Sequence, residues 1–239
     1  MLNRISDLLQ EKIFAVDIDG TITENGAGRI HLDALDALRH MIRLGHKVIF
    51  VSGRSSVEGY ILSVFGGMTR IAVGENGGAI TSGPSDHRLL GNKDECVKAF
   101  ELLRSKIPEA REKPVFPRMT EVVLERTFDL ELAKKIMAEN DMPVDLSDSQ
   151  YAIHINSKGI NKGRGFSEVL TMLSASPSDV IAIGDSETDI PLFKIAGQSI
   201  ALGNAEERVK SQASMTVSGK AGDGVIEALE YIAIKLAKV

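Results

Sequence analysis

Asp17-Ile18-Asp19-Gly20-Thr21 is the segment with the clearest capacity for chemistry. Its two carboxylates stand where a short apolar run, Ile13-Phe14-Ala15-Val16, gives way to a glycine turn. If that run is a strand continuing through them, both side chains project to the same side. Like charges so close are unfavourable unless a cation is present or one carboxyl keeps its proton. In either case one carboxylate can serve as nucleophile or ligand and the other as an acid–base group. Gly184-Asp185-Ser186-Glu187-Thr188-Asp189 repeats the theme after a second apolar run, Val180-Ile181-Ala182-Ile183. A helix starting between Asp185 and Asp189 aims both near one point. Taken singly, the first segment can be an ordinary turn and the second an acidic helix start. As a pair, two strand ends each carrying two aspartates make an all-oxygen site suited to Mg2+.

Two further segments suit the same cleft. Val51-Ser52-Gly53-Arg54 puts a hydroxyl and adjoining N–H groups at an expected helix N-terminus, a favourable place for a phosphate. Ser52 in that position can equally be the helix cap. Lys162, in Gly159-Ile160-Asn161-Lys162-Gly163, opens another helix. Lysines mostly lie in solvent, but aspartates that meet a phosphate need a positive counter-charge.

The elements that must position these residues are short strands alternating with helices. Lys47 to Val51, Ser199-Ile200-Ala201-Leu202 and Met215-Thr216-Val217 join the two runs above as strands apolar on both faces. Leu32, Leu35, Leu38, Met41 and Ile42 form a helical stripe that Gly45 ends. Val225, Ile226, Leu229, Ile232 and Leu236 form another, with Asp223 expected as its N-cap. Such alternation predicts an α/β fold with a doubly wound parallel sheet. The middle differs. Ser82-Gly83-Pro84-Ser85-Asp86 reads as a domain boundary. It is followed by a helix from about Lys93 to Lys106, a strand over Glu121 to Glu125, a helix over Asp129 to Asn140 and a strand over Tyr151 to Ile155. The expectation is a core of residues 1–82 and 157–239 interrupted by an inserted α+β domain of residues 83–156.

Composition narrows the function classes. With 28 Lys+Arg against 33 Asp+Glu the chain has net charge −5, which argues against a nucleic-acid scaffold, since neutralising phosphates needs a basic face. No apolar run is long enough for a bilayer, and Met1 to Lys12 lacks a signal-peptide stretch, so a cytoplasmic protein without a membrane partner is expected. Cys96 is the single cysteine, so any metal is held by oxygens and nitrogens. His31, His40, His46 and His87 show no ligand spacing. Phosphate-loop, dinucleotide-turn, His-Glu-x-x-His and Gly-x-Ser-x-Gly motifs are absent.

Asp17 to Thr21, Ser52, Lys162 and Gly184 to Asp189 resemble, in order, the four motifs of the haloacid dehalogenase-like phosphatase superfamily. Thr188 departs from the Asn common there. The outer segments look like its Rossmann-like core, and the insert is similar to the cap of its sugar-phosphatase branch, as is Gly74-Glu75-Asn76-Gly77-Gly78. Length and cap are nearest to archaeal-type phosphoglycolate phosphatases. The likeness covers the chain except Met1 to about Glu11, a leader read as a helix or an early start codon.

The resemblance implies Mg2+-dependent phosphomonoester hydrolysis through an aspartyl-phosphate, acting on a small phosphorylated metabolite such as 2-phosphoglycolate. Asp17 is then the nucleophile and Asp19 the acid–base residue. The carboxylates of Asp17, Asp185 and Asp189 and the carbonyl of Asp19 are the metal ligands. Ser52, the Gly53 N–H and Lys162 hold the phosphoryl oxygens. In the cap, Arg118, Arg126 and His154 are the groups to test against a substrate carboxylate. A sugar-phosphate phosphatase, a phosphomutase and a non-catalytic phosphometabolite-binding module remain alternatives. A homodimer through the cap or the leader is compatible with the sequence, though no pattern selects it.

Overall fold

A computed structural model describes residues 11–24, 28–149 and 151–236; all but the last residue of the expected leader lies outside them. The chain begins with β1 (Ile13–Val16), every residue of which is buried. After α1 (Leu32–Arg43) come β2 (Lys47–Val51), α2 (Ser56–Gly66), β3 (Ala72–Gly74), β4 (Ala79–Gly83) and β5 (Asp86–Leu89). The chain then builds α3 (Lys93–Lys106), β6 (Val122–Leu124), α4 (Leu130–Glu139), β7 (Val144–Asp148) and β8 (Ile153–Ser157). It closes with α5 (Lys162–Leu173), β9 (Val180–Gly184), α6 (Ile190–Ile195), β10 (Gln198–Ala201), α7 (Glu207–Lys210), β11 (Met215–Thr216) and α8 (Ala221–Leu236).

Eight strands form one sheet in the order β11-β10-β9-β1-β2-β3-β4-β5. The pairs from β11 to β3 are parallel, while β4 and β5 run antiparallel to their neighbours. Apolar residues on both faces of the central strands demand a helix layer on each side. Phe14, Val16 and Phe50 pack against Leu38 and Met41 of α1 and Leu229 and Ile232 of α8. Ala15, Ile49 and Val51 pack on the opposite face against Phe166 and Val169 of α5 and Phe193 of α6. β1 lies at the centre, so the loop leaving it opens at the middle of the sheet's carboxyl edge.

The remaining strands form a separate three-stranded sheet, β6-β8-β7, with its own core of Cys96, Phe100, Leu103, Leu124, Met137 and Ile155 beneath α3 and α4. Asp129 caps α4, accepting from the N–H groups of Glu131 and Leu132. Two expectations change. The turn at Ser82 to Asp86 joins β4 to β5 within the large sheet, so the chain leaves that sheet after Leu89 and not at residue 83. A Gly-Pro-Ser turn serves a hairpin as readily as a linker. Asp223 lies in the first turn of α8 instead of capping it; the Ala221 N–H that opens the helix donates to Asn204 Oδ1 at 2.8 Å. No helix among the described residues is long and apolar enough to cross a membrane.

Candidate active site

Asp17 comes directly after β1, and its N–H donates to Ile183 O of β9 at 3.0 Å. That bond, with the Val16↔Ile183 register, sets Asp17 beside the loop that carries Asp185. Carboxylate oxygens of Asp17, Asp185 and Asp189 lie within 4.8 Å of one another. Lys162, the first residue of α5, is 2% exposed and donates from Nζ to Asp17 Oδ1 and to Asp189 Oδ1, each at 2.7 Å. Among the described residues no hydrogen bond reaches Asp17 Oδ2, so this oxygen is available to a ligand.

Asp189 is wholly buried and organises its loop. Its Oδ2 accepts from the N–H groups of Asp185 and Ser186 and from Ser186 Oγ, at 2.9 to 3.1 Å. Gly184 permits this: a Cβ there would stand 2.5 Å from Asp189 Cγ. Asp185 accepts from Thr21 Oγ1 at 3.0 Å and from Asn204 Nδ2 at 2.7 Å; the same amide group donates to Gly20 O.

The electrostatics are those of acids crowded around one amine. Burial and then the neighbouring Asp189 raise the Asp17 carboxyl well above its ordinary range, with Lys162 opposing. Burial, then Asp189, pushes Asp185 up to about 7. Burial alone would lower the Lys162 ammonium, but Asp17 and Asp189 outweigh it and raise it. Three carboxylates sharing one ammonium leave negative charge uncompensated. An all-oxygen set of this kind suits a small hard divalent cation such as Mg2+.

Asp19 behaves differently from Asp17. The chain leaves strand geometry at Val16, so strand alternation does not govern the pair and the two carboxylates do not share a partner. Arg54 grips Asp19 with both Nε (2.8 Å) and Nη2 (2.7 Å), and Asp19 remains half exposed. These hydrogen bonds raise the Arg54 guanidinium above its ordinary value. Ser52 lies just after β2 and is buried; its N–H donates to Val73 O and its Oγ accepts from Arg54 N. It is not the cap of α2. Ser55 is, in a reciprocal box with Glu58. The Gly53 N–H has no acceptor among the described residues, which leaves it free for an oxyanion.

Sequence reasoning did not assign Thr21, Arg54, Glu58, Glu75, Asn76 or Asn204. Position beside a motif was the available signal for Thr21 and Arg54, and a strand-end position after β10 for Asn204. Glu75 is fully buried with φ +55°, and its carboxylate accepts from Met119 N, Thr120 N and Thr120 Oγ1. It thereby joins the turn after β3 to the approach of β6. Asn76 donates to Glu121 at 3.5 Å, while its Oδ1 lies beside Gly53 without a partner. Of the cap residues expected near substrate, Arg126 is half exposed and paired with Asp148 at 2.8 Å. His154 is buried between Glu121 and Ser149. Arg118 is buried against Glu58 and Glu121.

The family profile of the haloacid dehalogenase-like hydrolases matches residues 14–106 and 118–229. A phosphoglycolate phosphatase of Nitrosopumilus maritimus is 62% identical over 231 residues, covering 97% of this chain and 100% of that relative. One from Methanosarcina mazei is 36% identical over 222 residues, covering 92% and 96%. Among solved structures, that of Thermoplasma acidophilum 0175 superposes with a TM-score of 0.83 at 21% identity, covering 94% of this chain and 99% of the other. A sugar phosphatase of subclass IIB gives 0.76 at 18%, covering 94% and 100%. At these identities the two structures share the fold.

Proposed function

The chain belongs to the haloacid dehalogenase-like hydrolases and is a phosphatase, and from that premise we propose that it hydrolyses 2-phosphoglycolate to glycolate and inorganic phosphate. The observation that carries the mechanism is the open Oδ2 of a buried Asp17 whose other oxygen is held by Lys162. Asp17 Oδ2 attacks phosphorus in line; the P–O bond to the leaving group breaks and an aspartyl-phosphate forms. Asp19 gives its proton to the leaving oxygen, then takes one from the water that attacks the intermediate. Phosphate leaves and Asp17 is restored. Arg54 occupies both oxygens of Asp19, so that pair must loosen before Asp19 reaches the leaving oxygen. Ser52, the Gly53 N–H and Lys162 hold the phosphoryl oxygens. Asp17, Asp185 and Asp189, with the carbonyl of Asp19, would hold Mg2+, which supplies charge neutralisation between an anionic nucleophile and an anionic phosphate. The segment between β5 and α5 acts as a cap that excludes water and touches the rest of the substrate.

The test is a panel of phosphate monoesters with Mg2+, containing 2-phosphoglycolate, sugar phosphates and nucleotides, ranked by kcat/KM. We expect 2-phosphoglycolate to lead and to release inorganic phosphate with no second substrate present, which separates hydrolysis from phosphomutase transfer. Asp17→Asn should lose turnover and keep its circular dichroism spectrum. Near-wild-type activity in that variant, or a sugar phosphate at the head of the panel, would refute the reading.

A further inference from the structure

Arg118 is the one cap cation of the expected three that is not satisfied by its neighbours. Arg126 pairs with Asp148 through Nε and Nη2, and both ring nitrogens of His154 are engaged. The Arg118 side chain is only 7% exposed, with Nη1 3.5 Å from Glu58 Oε2 and Nε 3.3 Å from Glu121 Oε1. These are ion-pair contacts without hydrogen bonds: Nε and Nη1 have no acceptor, and Glu121 Oε1 has no donor. A guanidinium fork buried with unused N–H groups is unfavourable, and it favours a planar acid that can accept from it.

Position adds to this. Glu58 Oε1 also accepts from Arg54 Nη1 at 3.2 Å, and Arg54 grips Asp19. A single shared carboxylate and a single arginine therefore link the cap guanidinium to the acid–base residue of the core. Arg118 also lines a cavity of about 400 Å³ in the cap, with Lys93, Lys113 and Glu112 as its other charged residues and prolines, valines and Phe116 as the rest. Lysine and arginine offer donors and no acceptors. Arg118, whose Nε and Nη1 lack acceptors, therefore suits an anion better than a polyol, whose hydroxyls need acceptors as well.

We propose that Arg118 receives the carboxylate of the substrate's leaving group and thereby sets a preference for phosphorylated hydroxy acids over phosphorylated polyols. The proposal rests on the 2-phosphoglycolate reading above. On binding, the substrate carboxylate takes the Arg118 N–H groups that now face Glu58, and Glu58 keeps its bonds to the Ser55 N–H and Arg54.

The experiment compares kcat/KM for 2-phosphoglycolate and 2-hydroxyethyl phosphate, the same skeleton with a hydroxymethyl group replacing the carboxylate. It is run on the wild type, Arg118→Ala and Arg118→Lys, each checked by its melting temperature. For Arg118→Ala we expect a fall of roughly 30- to 150-fold with the acid, mainly in KM, from losing a charge-assisted pair. The hydroxyethyl ester should stay within about threefold, because its contacts do not include the fork. Arg118→Lys, which keeps the charge but not the fork, should fall between. Equal losses for both esters would mark Arg118 as a structural contact of the cap and overturn the proposal. So would an acid preference that survives in Arg118→Ala, with the substrate reading left standing. A wild type that does not prefer the acid would overturn both together.

Discussion

Replacing Lys162 with Met should show that the acidic cluster depends on a single buried cation. Lys162 Nζ stands 2.7 Å from both Asp17 and Asp189 and is 2% exposed, so the variant takes the cation from two buried carboxylates, of which Asp189 keeps its loop donors to Oδ2. Breaking a buried pair by removing one member costs about 3–5 kcal/mol. At roughly 2–4 °C per kcal/mol for a chain of this size, Tm in EDTA should fall by about 6–20 °C. The penalty must grow with pH. Asp17 and Asp185 have raised folded-state pKa values, so they favour the fold below the unfolded carboxylate pKa of roughly 4. That contribution is lost as pH rises through the folded value, about 7 for Asp185. Without the ammonium these values rise further, so the difference from wild type should be larger at pH 8 than at pH 5. Saturating Mg2+ should raise Tm more in the variant than in the wild type, because there it is the sole counter-charge. Differential scanning fluorimetry at two pH values, with EDTA or Mg2+, reads all of this. A Tm within about 2 °C of wild type in EDTA, or equal Mg2+ shifts in both proteins, would refute the electrostatic account, since the expected loss is several times larger.

Because burial and Asp189 place Asp185 at about 7, a proton competes with the cation below neutrality. The Mg2+ concentration for half-maximal activity should rise as pH falls below 7, and a flat titration between pH 5.5 and 7 would contradict it. Gly77 has φ +101°, and a Cβ there would stand 2.0 Å from Asn161 O, next to Lys162. Gly77→Ala should therefore cost about 1–3 kcal/mol by overpacking and displace the start of α5, lowering both Tm and kcat; an unchanged kcat would show that Lys162 tolerates the shift. Burial pushes the Cys96 thiol up to about 11, so at pH 8 about one part in a thousand is thiolate. Folded protein should resist iodoacetamide for hours while unfolded protein is fully alkylated, as read by intact mass; equal rates would place Cys96 outside the cap core.

The strand-end acids were legible because parallel pairing erases sequence distance. β1 and β9 are both short apolar runs, and once they pair side by side Asp17 and Asp185 must meet at one edge. Lys162 was legible for a related reason, since the chain re-enters the core through the helix that this residue begins. The hairpin of β4 and β5 was not, because β5 is an exposed edge strand of Asp86, His87, Arg88 and Leu89 with no apolar periodicity to announce it. Glu75 was hidden more deeply. A glutamate between glycines reads as a solvated loop, yet it is fully buried by donors from residues 119 and 120, which no local pattern connects to it. Asn204 is similar: one amide reaches Asp185, Gly20 O and the first N–H of α8, three loops joined only by the fold.

The division of labour we propose between Asp17 and Asp19 traces to where β1 stops. Had the strand run on, both carboxylates would have faced one side and shared one environment, and their proton affinities would have been coupled. Ending at Val16, the chain turns through Gly20 at φ +80° and sends the two acids to different cations. Asp17 is held at depth by an amine from α5, with little water to solvate it. Asp19 stands half exposed at the mouth, chelated by an arginine from the loop before α2. A nucleophile needs a fixed position and a shielded charge, whereas an acid–base group must exchange protons with solvent and with two successive oxygens. In the proposed mechanism one residue type at a spacing of two serves both needs, because the backbone between them leaves the sheet.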